Sequence, residues 1–231
     1  MNKKQTELLH SMSIEEKAWL CAGGGLWKTA ALAGRGVSSL TLAVGENGLS
    51  RREGQGVYGE AVDKATCFPC ASALGSSWNV NLVRRVGSAI GEEAREAKVD
   101  AVVVPGAGEK RSPLSGSGAS RFSEDPLLSG ALCSAFVKGV QARGVGALME
   151  GFGAGDREKD RTYRRVNADE RTLRELSLRG FETVLEDDDE TPWGIVCAPG
   201  GCTDSPFSQD QGLIRHLLRE QWHYTGAVLT P

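Results

Sequence analysis

Ala101-Val102-Val103-Val104-Pro105 is the stretch on which the fold turns. It is short, apolar and β-branched, and no polar residue alternates along it, as befits a parallel strand covered on both faces. Five more segments resemble it: Leu40–Val44, Thr66–Ala73, Gly146–Phe152, Gly194–Ala198 and Gly226–Thr230. Helical patterns lie between them. Val83, Val86, Ile90 and Ala94 mark one apolar face; Leu128, Leu132, Ala135, Phe136 and Val140 mark a second. Leu173, Leu176, Phe181 and Val184 form a third, and Leu213, Leu217 and Leu218 a fourth. Strand–helix alternation predicts an α/β fold with a mainly parallel sheet. Six strands fall short of the eight that close a (β/α)8 barrel, so the expectation is an incomplete or modified TIM-like barrel forming one domain over residues 1–231.

The rest of the chain sets limits on function. The 231 residues carry a formal charge of −3, which gives no electrostatic case for nucleic acid or an acidic membrane. No apolar run approaches the roughly 20 residues of a membrane span. Met1 to Lys17 alternates charged and apolar residues, without the apolar centre of a signal peptide, which predicts a cytoplasmic protein. Ser13 and Glu16 form a capping box that opens a first short helix. The acidic run Glu186–Glu190 reads as a solvated loop at a helix end. The glycine-rich pieces at 23–25, 106–108 and 116–118 match no phosphate-binding spacing and read as flexible loops.

Cys21, Cys67, Cys70, Cys133, Cys197 and Cys202 are scattered, and reduced, buried thiols are expected. Cys67-Phe-Pro-Cys70 has C-x-x-C spacing, but no second pair completes a zinc site. His10, His216 and His223 lie in helical or helix-end contexts. No metal or cofactor is expected.

Several motifs carry a resemblance that runs almost end to end. Lys110-Arg111-Ser112-Pro113-Leu114, Gly116 and Phe122-Ser123-Glu124-Asp125-Pro126 form one. Asp169-Glu170-Arg171-Thr172-Leu173-Arg174-Glu175 forms another, and Leu218-Arg219, Trp222 and Gly226 a third. Together they resemble glycoside hydrolase family 3, the β-glucosidase-like enzymes. The resemblance implies a barrel with its sugar site on loops at the carboxyl ends of the strands. It also implies that the barrel continues beyond the last strand seen here, and that many members add an α/β sandwich domain. On this reading the chain is a truncated relative without that domain. The resemblance places Cys67-Phe-Pro on a core strand.

The same resemblance implies that the pocket has been rewritten. Pro231 stands where the family has its nucleophilic aspartate, and proline has no group that could form a glycosyl ester. Val44 replaces an aspartate that clasps sugar hydroxyls, and Ser117 an arginine that reaches the sugar. Glu150-Gly151 replaces a Lys-His pair, Gly155-Asp156-Arg157-Glu158 a neighbouring Asn-Asn-Gln-Glu run, and Ala198-Pro199-Gly200 a Ser-Tyr-Asn turn. The frame persists at Arg111, Pro113, Glu124, Asp125, Pro126, Phe152 and Glu158. No catalytic residue is therefore assigned. The candidates for the pocket wall are Glu46, Asn47, Arg111, Ser117, Arg121, Glu150 and Asp156, with the carboxylates expected to be solvated or paired to Arg111, Arg121 or Arg157.

These readings lead to a non-catalytic binding or scaffold protein linked to carbohydrate metabolism, taking a small carbohydrate-like ligand. Two alternatives stand beside it. One is a hydrolase or lyase with a rebuilt acidic site around Glu46, Glu150 and Asp156. The other is one half of a split enzyme. An open sheet edge predicts a homodimer, or a partner chain that covers the edge. If instead the segment from Met1 to Gly36 folds over the gap, a monomer results.

Overall fold

The computed structural model describes residues 3–53, 60–61, 64–155, 160, 163, 165–186, 190–202 and 205–231. Its centre is a five-stranded parallel sheet: β1 (Leu42–Val44), β2 (Ala101–Val104), β3 (Gly146–Phe152), β4 (Gly194–Cys197) and β5 (Ala227–Leu229). The strands lie side by side in chain order, each joined to the next through helix. Such βα succession wraps a sheet towards a barrel, and these are consecutive units of a (β/α)8-type, TIM-like fold.

Between β1 and β2 run α1 (Ala71–Gly75) and α2 (Val80–Glu96); α3 (Pro126–Gln141) links β2 to β3. β3 is joined to β4 through α4 (Arg179–Leu185), and β4 to β5 through α5 (Gly212–Gln221). Two further helices, Lys3–Ser11 and Ile14–Ala22, precede the sheet and bury none of their residues. The capping box forms as expected: Glu16 N–H donates to Ser13 Oγ at 3.2 Å, and Ser13 N–H to Glu16 Oε2 at 2.9 Å. Glu16 also holds Arg35 at 2.9 Å, which ties this helix to the chain leading into β1.

Local chemistry places the later helices. Asp125 caps α3, accepting the N–H groups of Leu127 and Leu128, while Pro126 occupies a first-turn position where no N–H is needed. Asn79 caps α2 in the same way through Leu82 N–H. The predicted apolar faces of these two helices are buried, with Leu128 half-buried. The third face needs a correction. Leu173–Ser177 is a wider turn in which Leu178 N–H bonds to Leu173 O, and this rotates Leu176 out to solvent while Phe181 and Val184 stay buried.

The strand expected at Thr66–Ala73 does not form. Residues 64–70 have no regular structure, and α1 begins at Ala71. Pro69 has no N–H to give to a ladder. The Cys70 carbonyl instead accepts the N–H groups of Ala73 and Leu74, and Phe68 N–H donates to Asn47 O at 2.8 Å. Cys67-Phe-Pro is thus a loop lying on the turn after β1. The centre of the acidic run, residues 187–189, lies outside the described residues.

The two faces of the sheet differ in what covers them. Ala43, Val102, Val104, Ala147, Met149 and Ile195 point towards the helices and are fully buried. There they join Ile90, Phe136, Phe181 and Leu218 in one core. The intervening residues Leu42, Val44, Val103, Leu148, Val196 and Leu229 line an open concavity on the other face. Leu26 and Trp27 reach this concavity from the N-terminal segment, while Lys28 pairs with Thr41 beside β1.

Candidate functional site

The concavity encloses about 740 Å³ and opens at the carboxyl ends of the strands. Ser117, Glu150 and Ala198 all line it, so the loops after β2, β3 and β4 share one mouth. Thr230 and Pro231, just past β5, complete the rim.

Glu150 reaches the cavity because β3 is irregular. Met149 pairs with Ile195 and Phe152 with Cys197, which leaves two residues of β3 opposite one of β4. The additional residue is accommodated at Gly151, whose φ of 79° lies in the left-handed region. Met149 and Phe152 therefore both turn to the helix layer, where Phe152 meets Phe181 edge-on at 5.3 Å. Glu150 turns inward between them.

Glu46 enters from the turn after β1 and shares the cavity wall with Glu150. Burial of Glu46, then the neighbouring Glu150 carboxyl, push its carboxyl up to about 8. Two carboxyl groups close together in a partly buried site cannot both ionise cheaply, so the protonated form of Glu46 is favoured at neutral pH. Of the two expected states, solvated or paired to arginine, pairing to Arg111 or Arg121 is not seen: no ion pair to either carboxyl forms among the described residues, and Arg157 lies outside them.

Arg121 lies on the same wall, only 7% exposed. Its guanidinium donates to Glu109 O at 3.1 Å and to Gly155 O at 2.8 Å. Ser117 is half-buried on the wall, with its hydroxyl 3.2 Å from Ser115 Oγ. Asn47 and Arg111 lie off the wall and are exposed. Asp156, with Arg157 and Glu158, falls outside the described residues.

Sequence reasoning passed over Trp27 and Cys197. Trp27 precedes the sheet, and its indole N–H is buried without an acceptor among the described residues. Cys197 ends β4, and burial pushes its thiol up to about 11. The continuous apolar runs of the strands, which imply two covered faces, were the available signal for the apolar wall. Nothing in the local sequence marked Trp27.

The cysteines need one more correction. All are free; Cys133 and Cys197 are buried as expected, but Cys21 and Cys67 are exposed. Hydrogen bonds from Ser72 Oγ and the Ala73 N–H lower the Cys70 thiol. No group of three metal-ligating side chains converges among the described residues, and none of the described helices is long and apolar enough to cross a membrane.

Comparison with known proteins gives the class. Residues 49–231 match the glycosyl hydrolase family 3 N terminal domain. The chain is 36% identical over 226 residues to thermostable beta-glucosidase B of Acetivibrio thermocellus, covering 97% of this chain and 30% of that protein. It is 33% identical to an exo-alpha-(1->6)-L-arabinopyranosidase of Bifidobacterium longum, covering all of this chain and 30% of that protein. Among solved structures, beta-glucosidase 3B from Thermotoga neapolitana in complex with glucose superposes with a TM-score of 0.89 at 35% identity, over 99% of this chain and 34% of that one. This chain belongs to glycoside hydrolase family 3, as its N-terminal barrel domain. It spans about a third of the length of these relatives.

Proposed function

We propose that this chain is a non-hydrolysing member of its family that binds a small polyhydroxylated, carbohydrate-like ligand in the cavity. One observation carries the reading: Pro231, at the position the family resemblance gives to the nucleophile, lines the cavity and offers no side-chain carboxylate. A retaining glycosidase needs such a nucleophile opposite its acid/base carboxyl, about 5–5.5 Å away across the scissile bond.

A carboxylic acid and a carboxylate on one wall present several acceptor oxygens, which suits neighbouring hydroxyls of a sugar or polyol. Apolar side chains from all five strands supply the floor.

The test pairs turnover of aryl β-glucosides and β-N-acetylglucosaminides with calorimetric titration of glucose and other sugars. Binding without turnover supports the proposal. Turnover abolished by Glu150→Gln would overturn it. A second reading has an observation in its favour: a carboxyl held neutral near pH 7 inside a cleft is also the state of a general acid. Under that reading the same turnover assay, with Glu46→Gln, identifies a rebuilt hydrolase or lyase.

A further inference from the structure

We propose that Arg121 is a positioning residue: by tying the loop after β2 to the loop after β3, it holds Glu150 beside Glu46 on the cavity wall. The proposal deepens the binding reading above, but its test uses ligand-free protein, so each can fail without the other.

The geometry is that of a clasp. Arg121 follows the loop that leaves β2, and its backbone pairs with Gly106 at the start of that loop. The side chain is nine-tenths buried, and its two hydrogen bonds end on different loops, at Glu109 O after β2 and at Gly155 O after β3. The space is shaped for the guanidinium. At Gly108 a Cβ would overlap Arg121 Nη1, and the same position lies 3.7 Å from the ring of Phe181. Nη2 is 3.7 Å from where a Cβ of Gly151 would stand, next in sequence to Glu150. The loop after β2 also rests on Glu150 directly, because a Cβ at Gly106 would overlap the Glu150 carbonyl.

The charged side chains on the cavity wall, among the described residues, are Glu46, Glu150 and Arg121, with the Cys197 thiol as a further titratable group. Arg121 forms no ion pair among the described residues, so the clasp rests on its two carbonyl bonds.

The experiment is a carboxyl-carbon NMR titration of the full chain from pH 4 to 10, with Glu150→Gln to assign the two signals. Replacing Arg121 with Met releases both loops, and the proton affinity of Glu46 is expected to fall at least tenfold as the pair separates. Arg121→Lys keeps the charge but spans only one of the two carbonyls, and an intermediate fall is expected. Gly108→Ala, which displaces the guanidinium without removing it, should lower the affinity in the same direction and serves if Arg121→Met does not fold. Val140→Ala, buried where α3 meets Gly91 of α2, loosens the protein at the end of α3 remote from Arg121 and should leave Glu46 unchanged. An Arg121→Met protein whose Glu46 titrates as in wild type, or at higher pH, overturns the proposal. So does an equal fall in Val140→Ala, which would mark general loosening.

Discussion

Glu46→Gln should stabilise the protein at alkaline pH and leave it nearly unchanged at pH 5. The Glu46 carboxyl is moved from its ordinary 4.5 to about 8 by burial and by Glu150. The folded state therefore binds the proton more tightly than the unfolded chain does. The stability this confers is fully present below about pH 4.5, and it is lost as pH rises through about 8. At about 1.4 kcal/mol per tenfold change in proton affinity, the full effect amounts to about 5 kcal/mol. Water entering the open mouth and small movements of the pair reduce this, so a loss of about 2–4 kcal/mol is expected between pH 5 and 9. Glutamine cannot ionise and stays neutral across this range. Urea unfolding of both proteins at half-unit intervals from pH 5 to 9.5 reads the difference directly. Parallel profiles, or a wild type that gains on the variant as pH rises, would refute the reasoning.

Other consequences are testable in the same preparation. Gly87→Ala places a methyl group on the Phe136 carbonyl where α2 meets α3, and should cost about 1–3 kcal/mol in chemical unfolding. A thiol reagent should modify the exposed Cys21 and Cys67 quickly, and Cys133 and Cys197 only on unfolding, as peptide mapping by mass spectrometry would show. If a second copy covers the apolar wall of Leu42, Val103, Val196 and Leu229, sedimentation at micromolar concentration should show a dimer. A monomer without concentration dependence would exclude it.

Much of the architecture was legible because it rests on local chemistry. Val102 and Val104 read as buried strand residues from their own neighbours, and they are buried against the helices. Ser13 with Glu16, and Asp125 with Pro126, start helices through hydrogen bonds reaching only two or three residues along the chain. Leu176 was misplaced because a periodicity argument assumes 3.6 residues per turn, and the turn at Leu173–Ser177 is wider. Thr66–Ala73 looked like a strand on apolar content alone, whereas Pro69 removes the donor that a ladder needs.

The site was legible only in part. Glu46, Ser117, Arg121 and Glu150 could be named as candidates, because a barrel places the ends of its strands at one mouth. That Glu46 and Glu150 share one cavity wall, and that Arg121 is buried between two loops rather than paired with either, could not be read. Sequence by itself determined the order of strands and helices and the family, since short-range hydrogen bonding and apolar periodicity are encoded residue by residue. Only the tertiary structure decided that two carboxyls share one wall and that burial raises the proton affinity of Glu46. Proton affinity depends on burial and on charges brought close from distant segments, and here the extra residue in β3 turns Glu150 inward.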